Sequence, residues 1–444
     1  MHSSRFSAIA AIAIPMILSN ITIPLLGLVD TAVIGHLDHS YYLAGVALGS
    51  MMITLVFWLC GFLRMSTTGL AAQASGANDR RQLIHLGINS GLIALSLGLT
   101  LLLLQTPILD LGMRLAGGSE QVQFYAREYF ATRIWGAPAA LLNMVLLGWL
   151  LGMQNARAPM LLVMLTNSLN IALDVLLVVG FDMNVFGAAL ATVISDYLGL
   201  AVGLYLCRQQ FLRRFEGLPD WAECFSGFNR LQLGGLFRLN RDIFVRSLAL
   251  QACFAFITFQ GSRLGDNIVA ANAVLLNFLM FVSFGLDGLA YAVEALAGKA
   301  KGQQDRQQFV SVINRCLLLA LFAGIGFSGL FAVFGEALVA LLTDIADIRT
   351  TANQYLPWMV LLPLVAVWCF ILDGVFIATA EGRIMRNSML LASVAVFFPL
   401  WWLSQAWGNH ALWFAMSGFM AARGLSLGYI YYRALIQHRW FKAP

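Results

Sequence analysis

The sequence predicts an all-α integral membrane protein: twelve transmembrane helices in two six-helix bundles related by a pseudo-two-fold axis along the membrane normal. Three observations predict it. The chain of 444 residues is 60% hydrophobic and only 11% charged, whereas charged residues make up about a quarter of a soluble domain. Apolar runs of about 20 residues, each long enough to cross a bilayer core as a helix, recur along the whole length. One stretch is also written twice, since "LAAQASGANDRRQL" (Leu70–Leu83) aligns without gaps on "LAGKAKGQQDRQQF" (Leu296–Phe309). A repeat of this kind has to be accounted for before any fold is assigned.

The apolar runs fall at 8–34, 43–66, 83–106, 130–153, 159–180, 186–207, 243–264, 269–293, 309–334, 355–380, 387–407 and 411–432. The first follows a short basic start, as a signal peptide would. It is too long for one and lacks a small-residue cleavage pattern, so it reads as a retained helix. Pro15 and Pro24 interrupt it. Proline inside a helix removes a backbone bond and kinks it, which membrane helices tolerate where neighbours or water re-satisfy the backbone. The repeat carries Gly76 onto Gly302, Asp79 onto Asp305, Arg80 onto Arg306 and Tyr129 onto Tyr355, all at an offset of 226 residues. Each half then holds six spans. An even number returns the chain to its starting side, so the halves share one orientation, as in parallel-repeat transporters. The expected division is an N-terminal lobe over 1–207, a cytoplasmic linker over 208–242 and a C-terminal lobe over 243–444. Two facing lobes leave a cleft suited to alternating access.

The net charge of +5 is topological. With Met1 in the cytoplasm and the helices alternating, most Lys and Arg residues fall on the cytoplasmic side, including Arg80, Arg81, Arg157, Arg213, Arg214, Lys299, Arg383 and Arg439. That is the positive-inside pattern, and it puts both termini in the cytoplasm. No basic stripe suits nucleic acid. The six cysteines are scattered, without CxxC or His spacing for zinc. No GxxxxGK[ST], HExxH or GxSxG occurs, so the sequence reads neither as an enzyme nor as ATP-driven, and no cofactor is expected.

Charges inside the spans carry the functional reading, because an acid in hydrocarbon is expensive and usually faces a wet cavity or a partner. Asp30, Asp174, Asp196, Asp287, Glu294 and Asp373 all fall within predicted helices, as do Arg64 and Arg423, with Glu294 near the cytoplasmic end, where it could pair with Lys299 or stay wet. In "TNSLNIALDVLL", Asn167, Asn170 and Asp174 are spaced i, i+3, i+7 and share one helical face. In "ALATVISDYLGL", Thr192 and Asp196 are i, i+4. Amide, hydroxyl and carboxylate oxygens together are what a proton relay or a hard-cation site needs. Interhelical hydrogen bonding at ~0.6 kcal/mol per contact is the plainer use of such groups. Asp287 and Arg64 also fit a structural ion pair. A kinkable first helix carrying Asp30 could couple protonation to helix shape.

"PLLGLVDTAVIGHL", "NIALDVLL", "GAALATVISDY" and "LDGVFIA" resemble the multidrug and toxic compound extrusion (MATE) transporters, over essentially the whole chain. "LRMSTTGLAAQASGA" and "NRDIFVRSL" are similar to their bacterial, DNA-damage-inducible DinF branch. The resemblance implies the MATE fold in a bacterial inner membrane. It also implies an antiporter exporting amphipathic, often cationic compounds in exchange for H+ or Na+. It assigns the cation site, a possible Na+ site included, to Asp30, Asn170, Asp174 and Thr192, with Asp196 among the acidic positions of the sixth helix and Pro15 as the bend of the first. Asp373 resembles an acid of the NorM-like branch, whose partner acid on the seventh helix has no counterpart here.

Asn167, Arg64 and the Phe-, Trp- and Met-rich inner faces are candidates for a drug cavity, since such side chains adapt to varied apolar cations. The expected partners are amphipathic small molecules and the lipid bilayer, with the chain acting as a monomer. A lipid-intermediate flippase of the wider superfamily is the competing reading. It would call for a strongly cationic cleft and, typically, extra helices.

Overall fold

The computed structural model of the protein describes residues 2–35, 39–116, 119–225 and 230–441, with the side chains of 2–5, 27, 28, 30, 31, 116, 225, 230 and 231 outside that description. Among the described residues every regular element is helical. The first predicted span is α1 (His2–Gly35), and the second is divided into α2 (Ser40–Leu59) and α3 (Phe62–Gly76). The third is α4 (Arg80–Leu103), followed by the short α5 (Gln105–Ala116). The fourth breaks between α6 (Glu120–Arg133) and α7 (Ala137–Gly152), because Pro138 opens α7 and proline is favoured where a helix N–H would go unused. Next come α8 (Arg157–Asp174), the long α9 (Asn184–Arg214) and the short α10 (Trp221–Phe225). The second half holds α11 (Arg230–Leu264), α12 (Asp266–Gly302), α13 (Arg306–Leu342) and α14 (Ala346–Ala378). It ends with α15 (Gly382–Leu390), α16 (Phe398–Leu403) and α17 (Asn409–Ile436). Eleven described stretches are long and apolar enough to cross a membrane. The 28-residue α17 occupies the place of the twelfth predicted span.

The repeat is visible in the backbone. Asn78 and Gln304 are both left-handed, with φ of 53° and 58°, and so are Gln154 and Ala380, with φ of 60° and 58°. Each pair is separated by the repeat offset. After each of these residues the next N–H reaches back five residues: Asp79 to Ala74 O and Asp305 to Ala300 O, both at 2.9 Å, and Asn155 to Leu150 O at 3.1 Å, Glu381 to Phe376 O at 2.9 Å. This is the Schellman closure of a helix end. In the first pair of turns the next residue also caps the following helix, Asp79 accepting from Gln82 N at 3.0 Å and Asp305 from Gln308 N at 2.8 Å.

The chain forms two compact units, Leu18–Leu236 and Met1–Ile17 with Phe237–Pro444. This division differs from the expected one in two places. The first 17 residues group with the C-terminal helices, because Gly288 of α12 lets the α1 backbone approach: a Cβ there would lie 2.9 Å from Ala13 O and 2.3 Å from Ile17 Cγ1. The anticipated linker 208–242 is also largely helical, since α9 runs on to Arg214 and α11 starts at Arg230. Between them, Glu216 and Glu223 are held on the N-terminal unit by Arg80. Its Nε and Nη2 donate to the Glu223 carboxylate at 2.9 and 3.2 Å, its Nη1 donates to Glu216 O at 2.7 Å, and its guanidinium lies 5.0 Å from the Phe211 ring.

Glycines set the helix spacing in the N-terminal unit. Gly148 and Gly152 of α7 form a GxxxG pair facing α3, where an added Cβ would meet Arg64 O at 2.5 Å and Thr68 O at 2.7 Å. Small residues four apart let membrane helices close on each other's backbone. In the C-terminal unit Gly374 of α14 plays the same part against α12, with Ala290 O 2.9 Å from its missing Cβ. There too, Asn272 and Asn409 exchange two amide hydrogen bonds at 2.8 Å, and the Trp413 indole donates to Asn272 at 3.0 Å.

Two outcomes follow. Gly152→Val wedges α3 from α7 and destabilises the protein by about 1–3 kcal/mol, read as a lower unfolding midpoint in detergent. The Arg80 hydrogen bonds hold the Glu223 carboxyl below the usual carboxylate range. The clasp therefore contributes fully above the unfolded pKa of that carboxyl and is lost as pH falls through the lowered folded value. Proteolysis between residues 215 and 229 should accelerate several-fold below about pH 4, and Glu223→Ala should show the same rate at neutral pH.

Candidate functional site

The face predicted on the fifth span is formed by α8, and its acid is met by the neighbouring helix. Asn170 and Asp174 are each only 2% exposed. In the amide orientation that satisfies both its ends, Asn170 donates to Asp174 Oδ2 at 2.8 Å and accepts from the Thr192 hydroxyl at 2.8 Å and the Thr192 backbone N–H at 3.3 Å. One polar knot thus joins α8 to α9. Directly after Asp174 the helix widens into a π segment, Val175–Gly180, a distortion frequent at functional sites. On the other side of the knot, Asn167 donates to the Thr22 hydroxyl of α1 at 2.8 Å, and Thr22 in turn donates to Ser19 O at 2.7 Å. Asp30 lies on α1, outside the residues whose side chains are described. Pro15 is half-buried within α1, just before the point where that helix passes from one compact unit to the other.

Asp196 sits one turn beyond Thr192 and has a different partner. Arg133, at the end of α6, approaches Asp196 Oδ2 at 2.9 Å, both side chains largely buried. The guanidinium lies 5.0 Å from the Phe57 ring centroid, and the Asn143 amide donates to Asp196 O at 3.0 Å. Gly136 makes the pair possible, because a Cβ there would fall 2.5 Å from Arg133 Nη1 and 3.1 Å from Asp196 Oδ2.

The C-terminal unit holds a denser cluster. Asp373 of α14 accepts on Oδ2 from Arg246 of α11 and from Arg423 of α17, each at 2.5 Å. Arg423 also faces Phe419 at 5.4 Å and donates to Met420 Sδ at 3.4 Å. Asp373 is therefore gripped by two cations. Arg64 of α3 donates to the Thr68 hydroxyl at 3.4 Å and sits in the N-terminal unit, while Asp287 of α12 sits in the other.

The sequence reading missed Arg133 and Arg246 as partners. Their signal was present, since both are basic residues inside predicted spans, but neither shares a helix with its acid. Thr22, in "NITIP", also went unremarked.

Residues 15–176 and 243–403 match MatE, a coverage well over half of the chain. The chain belongs to the MatE family. DNA damage-inducible protein F of Escherichia coli (strain K12) is 48% identical over 443 residues, 99% of this chain and 95% of that protein. The probable multidrug resistance protein NorM of Thermotoga maritima is 27% identical over 346 residues, 75% of this chain and 71% of its own. A crystal structure of MATE in the bent conformation superposes with a TM-score of 0.86 at 21% identity, covering 98% of this chain and 97% of that one. The fold of this MatE protein is thus the twelve-helix MATE fold.

The Arg133–Asp196 pair yields a sharp prediction. Arg133→Leu leaves a buried carboxylate alone and should destabilise the protein by about 3–5 kcal/mol. Leu at both positions should recover most of that loss. A double-mutant cycle on the unfolding midpoint measures both.

Proposed function

We propose that this MatE protein is a secondary antiporter of the bacterial inner membrane, with both termini cytoplasmic. It exports amphipathic, cationic organic compounds in exchange for protons and works as a monomer. The observation that carries this reading is the Asn170–Asp174–Thr192 knot, an acid inside a span hydrogen-bonded to an amide that is itself fastened to a hydroxyl. An acid with neutral partners can gain and lose a proton without breaking an ion pair. Asp196 and Asp373, each faced by arginine, lack that freedom. Asp174 and Asp30 are therefore the coupling acids in this reading. Asn170 and Thr192 hold Asp174, and Asn167 ties the α1 segment beside them.

Carboxylate, amide and hydroxyl groups serve a proton or a sodium ion alike, and the imposed gradients below separate the two. Bending of α1 at Pro15 links protonation to the alternation of the lobes. The fuel suffices: one proton crossing 100 mV supplies about 2.3 kcal/mol, a roughly fifty-fold bias between two states. Arg64 and Asn167 are the candidate contacts to substrate. The names of the relatives, one a multidrug resistance protein, support drug efflux as the activity.

The test is efflux of a fluorescent organic cation from proteoliposomes under an imposed pH gradient or an imposed Na+ gradient. The pH gradient should drive uphill efflux, and Asp174→Asn and Asp30→Asn should each reduce it tenfold or more. Efflux driven by Na+ alone would replace the proton as the coupling ion. Undiminished coupling in both variants would move the site elsewhere.

A further inference from the structure

Among the described residues, Arg246 and Arg423 of the C-terminal unit share one acid, Asp373, so the trio carries one positive charge in excess. Arg246 is 6% exposed, Arg423 2% and Asp373 7%. Both guanidinium groups spend a terminal nitrogen on the same carboxylate oxygen, Asp373 Oδ2. Among the described residues no second acid pairs with either arginine. The Nε atoms of both arginines are buried without a hydrogen-bond partner. Arg423 meets soft and weak acceptors, the Met420 thioether at 3.4 Å and the face of Phe419 at 5.4 Å.

A guanidinium does not escape this position by losing its proton. An uncompensated ion out of water costs several kcal/mol even after relaxation, and a buried donor left unmade adds to it. We propose that Arg246 and Arg423 form a binding site for one singly charged anionic group, chloride or an organic carboxylate, which completes the neutralisation that Asp373 begins. The excess of one charge sets the valence of the ligand. The fork of donors on each arginine suits a compact or planar anion. Asp373 is then a resident competitor as well as a partner, holding the two arginines together while leaving both Nε–H groups for the guest. The site goes beyond the proposed antiport and does not depend on it, because its test reads binding rather than transport.

The experiment uses the purified full-length protein in detergent, in gluconate buffer at fixed ionic strength. Equilibrium binding of radioactive chloride is measured with and without benzoate, alongside the unfolding midpoint as gluconate is replaced by either anion. One saturable site per chain is expected, with a midpoint that climbs with the logarithm of anion concentration above saturation. Asp373→Asn, which raises the local charge, should bind chloride at least tenfold more tightly, and Arg246→Gln should abolish both binding and the midpoint rise. Displacement of chloride by benzoate at lower concentration identifies an organic carboxylate as the occupant, whereas chloride binding indifferent to benzoate identifies an inorganic ion. The proposal is overturned if wild-type protein shows neither saturable binding nor an anion-specific midpoint rise. Binding that persists unchanged in Arg246→Gln overturns it as well. Should Arg246→Gln fail to fold, the wild-type titration and the Asp373→Asn shift still decide.

Discussion

A carboxylate placed inside a membrane span has to be met by donors from the protein, because water does not follow it into hydrocarbon. The two units meet that demand in different ways. Asp174 is held by the amide of Asn170, itself fastened to Thr192 on the next helix. Asp196 is met by one arginine from α6, and Asp373 by two from α11 and α17. The amide knot ties consecutive helices and the arginine pairs tie helices further apart in sequence, so the polar groups fix which helices are neighbours while apolar contacts fill the space between. The choice of partner also sorts the acids by chemistry. An arginine pairs its acid with an opposite charge, whereas an amide gives it a neutral hydrogen bond.

Close backbone approach supplies the second constraint. Lipid offers no hydrophobic gain for bringing one helix to another, so association rests on van der Waals packing and hydrogen bonds. Gly148 and Gly152 between α7 and α3, and Gly374 between α14 and α12, remove the side chains that would hold those helices apart. Gly136 serves a different end, opening space for an ion pair instead of a helix. A methyl group at any of these four positions meets a neighbouring atom at under 3 Å.

The spans, the repeat and the shared face of Asn167, Asn170 and Asp174 were legible in the sequence because each is a local or periodic property. Hydrophobic length announces a span, and a period of 3.6 places residues on one side of it. Partnership is another matter. Arg246 and Asp373 are 127 residues apart, and no spacing rule connects them, so the partners of Asp373 are not legible in the sequence. The helical interior of the linker escaped for a related reason. Its arginines signal an aqueous location, which says nothing against a helix continuing past the membrane. The grouping of the first 17 residues with the C-terminal helices depends on the fit of Ala13 and Ile17 at Gly288, a contact no local pattern encodes.

The turns at Asn78 and Gln304, and at Gln154 and Ala380, differ in side chain yet repeat the same left-handed residue and the same backward hydrogen bond. Asparagine tolerates that conformation, but glutamine and alanine are poor choices for it, so residue preference does not explain its persistence. What the two halves have inherited in common is a sequence of dihedral angles at the ends of helices. Within the helices, one apolar residue readily replaces another and the ancestry fades. A comparison of the halves, or of a distant relative with either, is therefore anchored more firmly at these corners than along the spans they join.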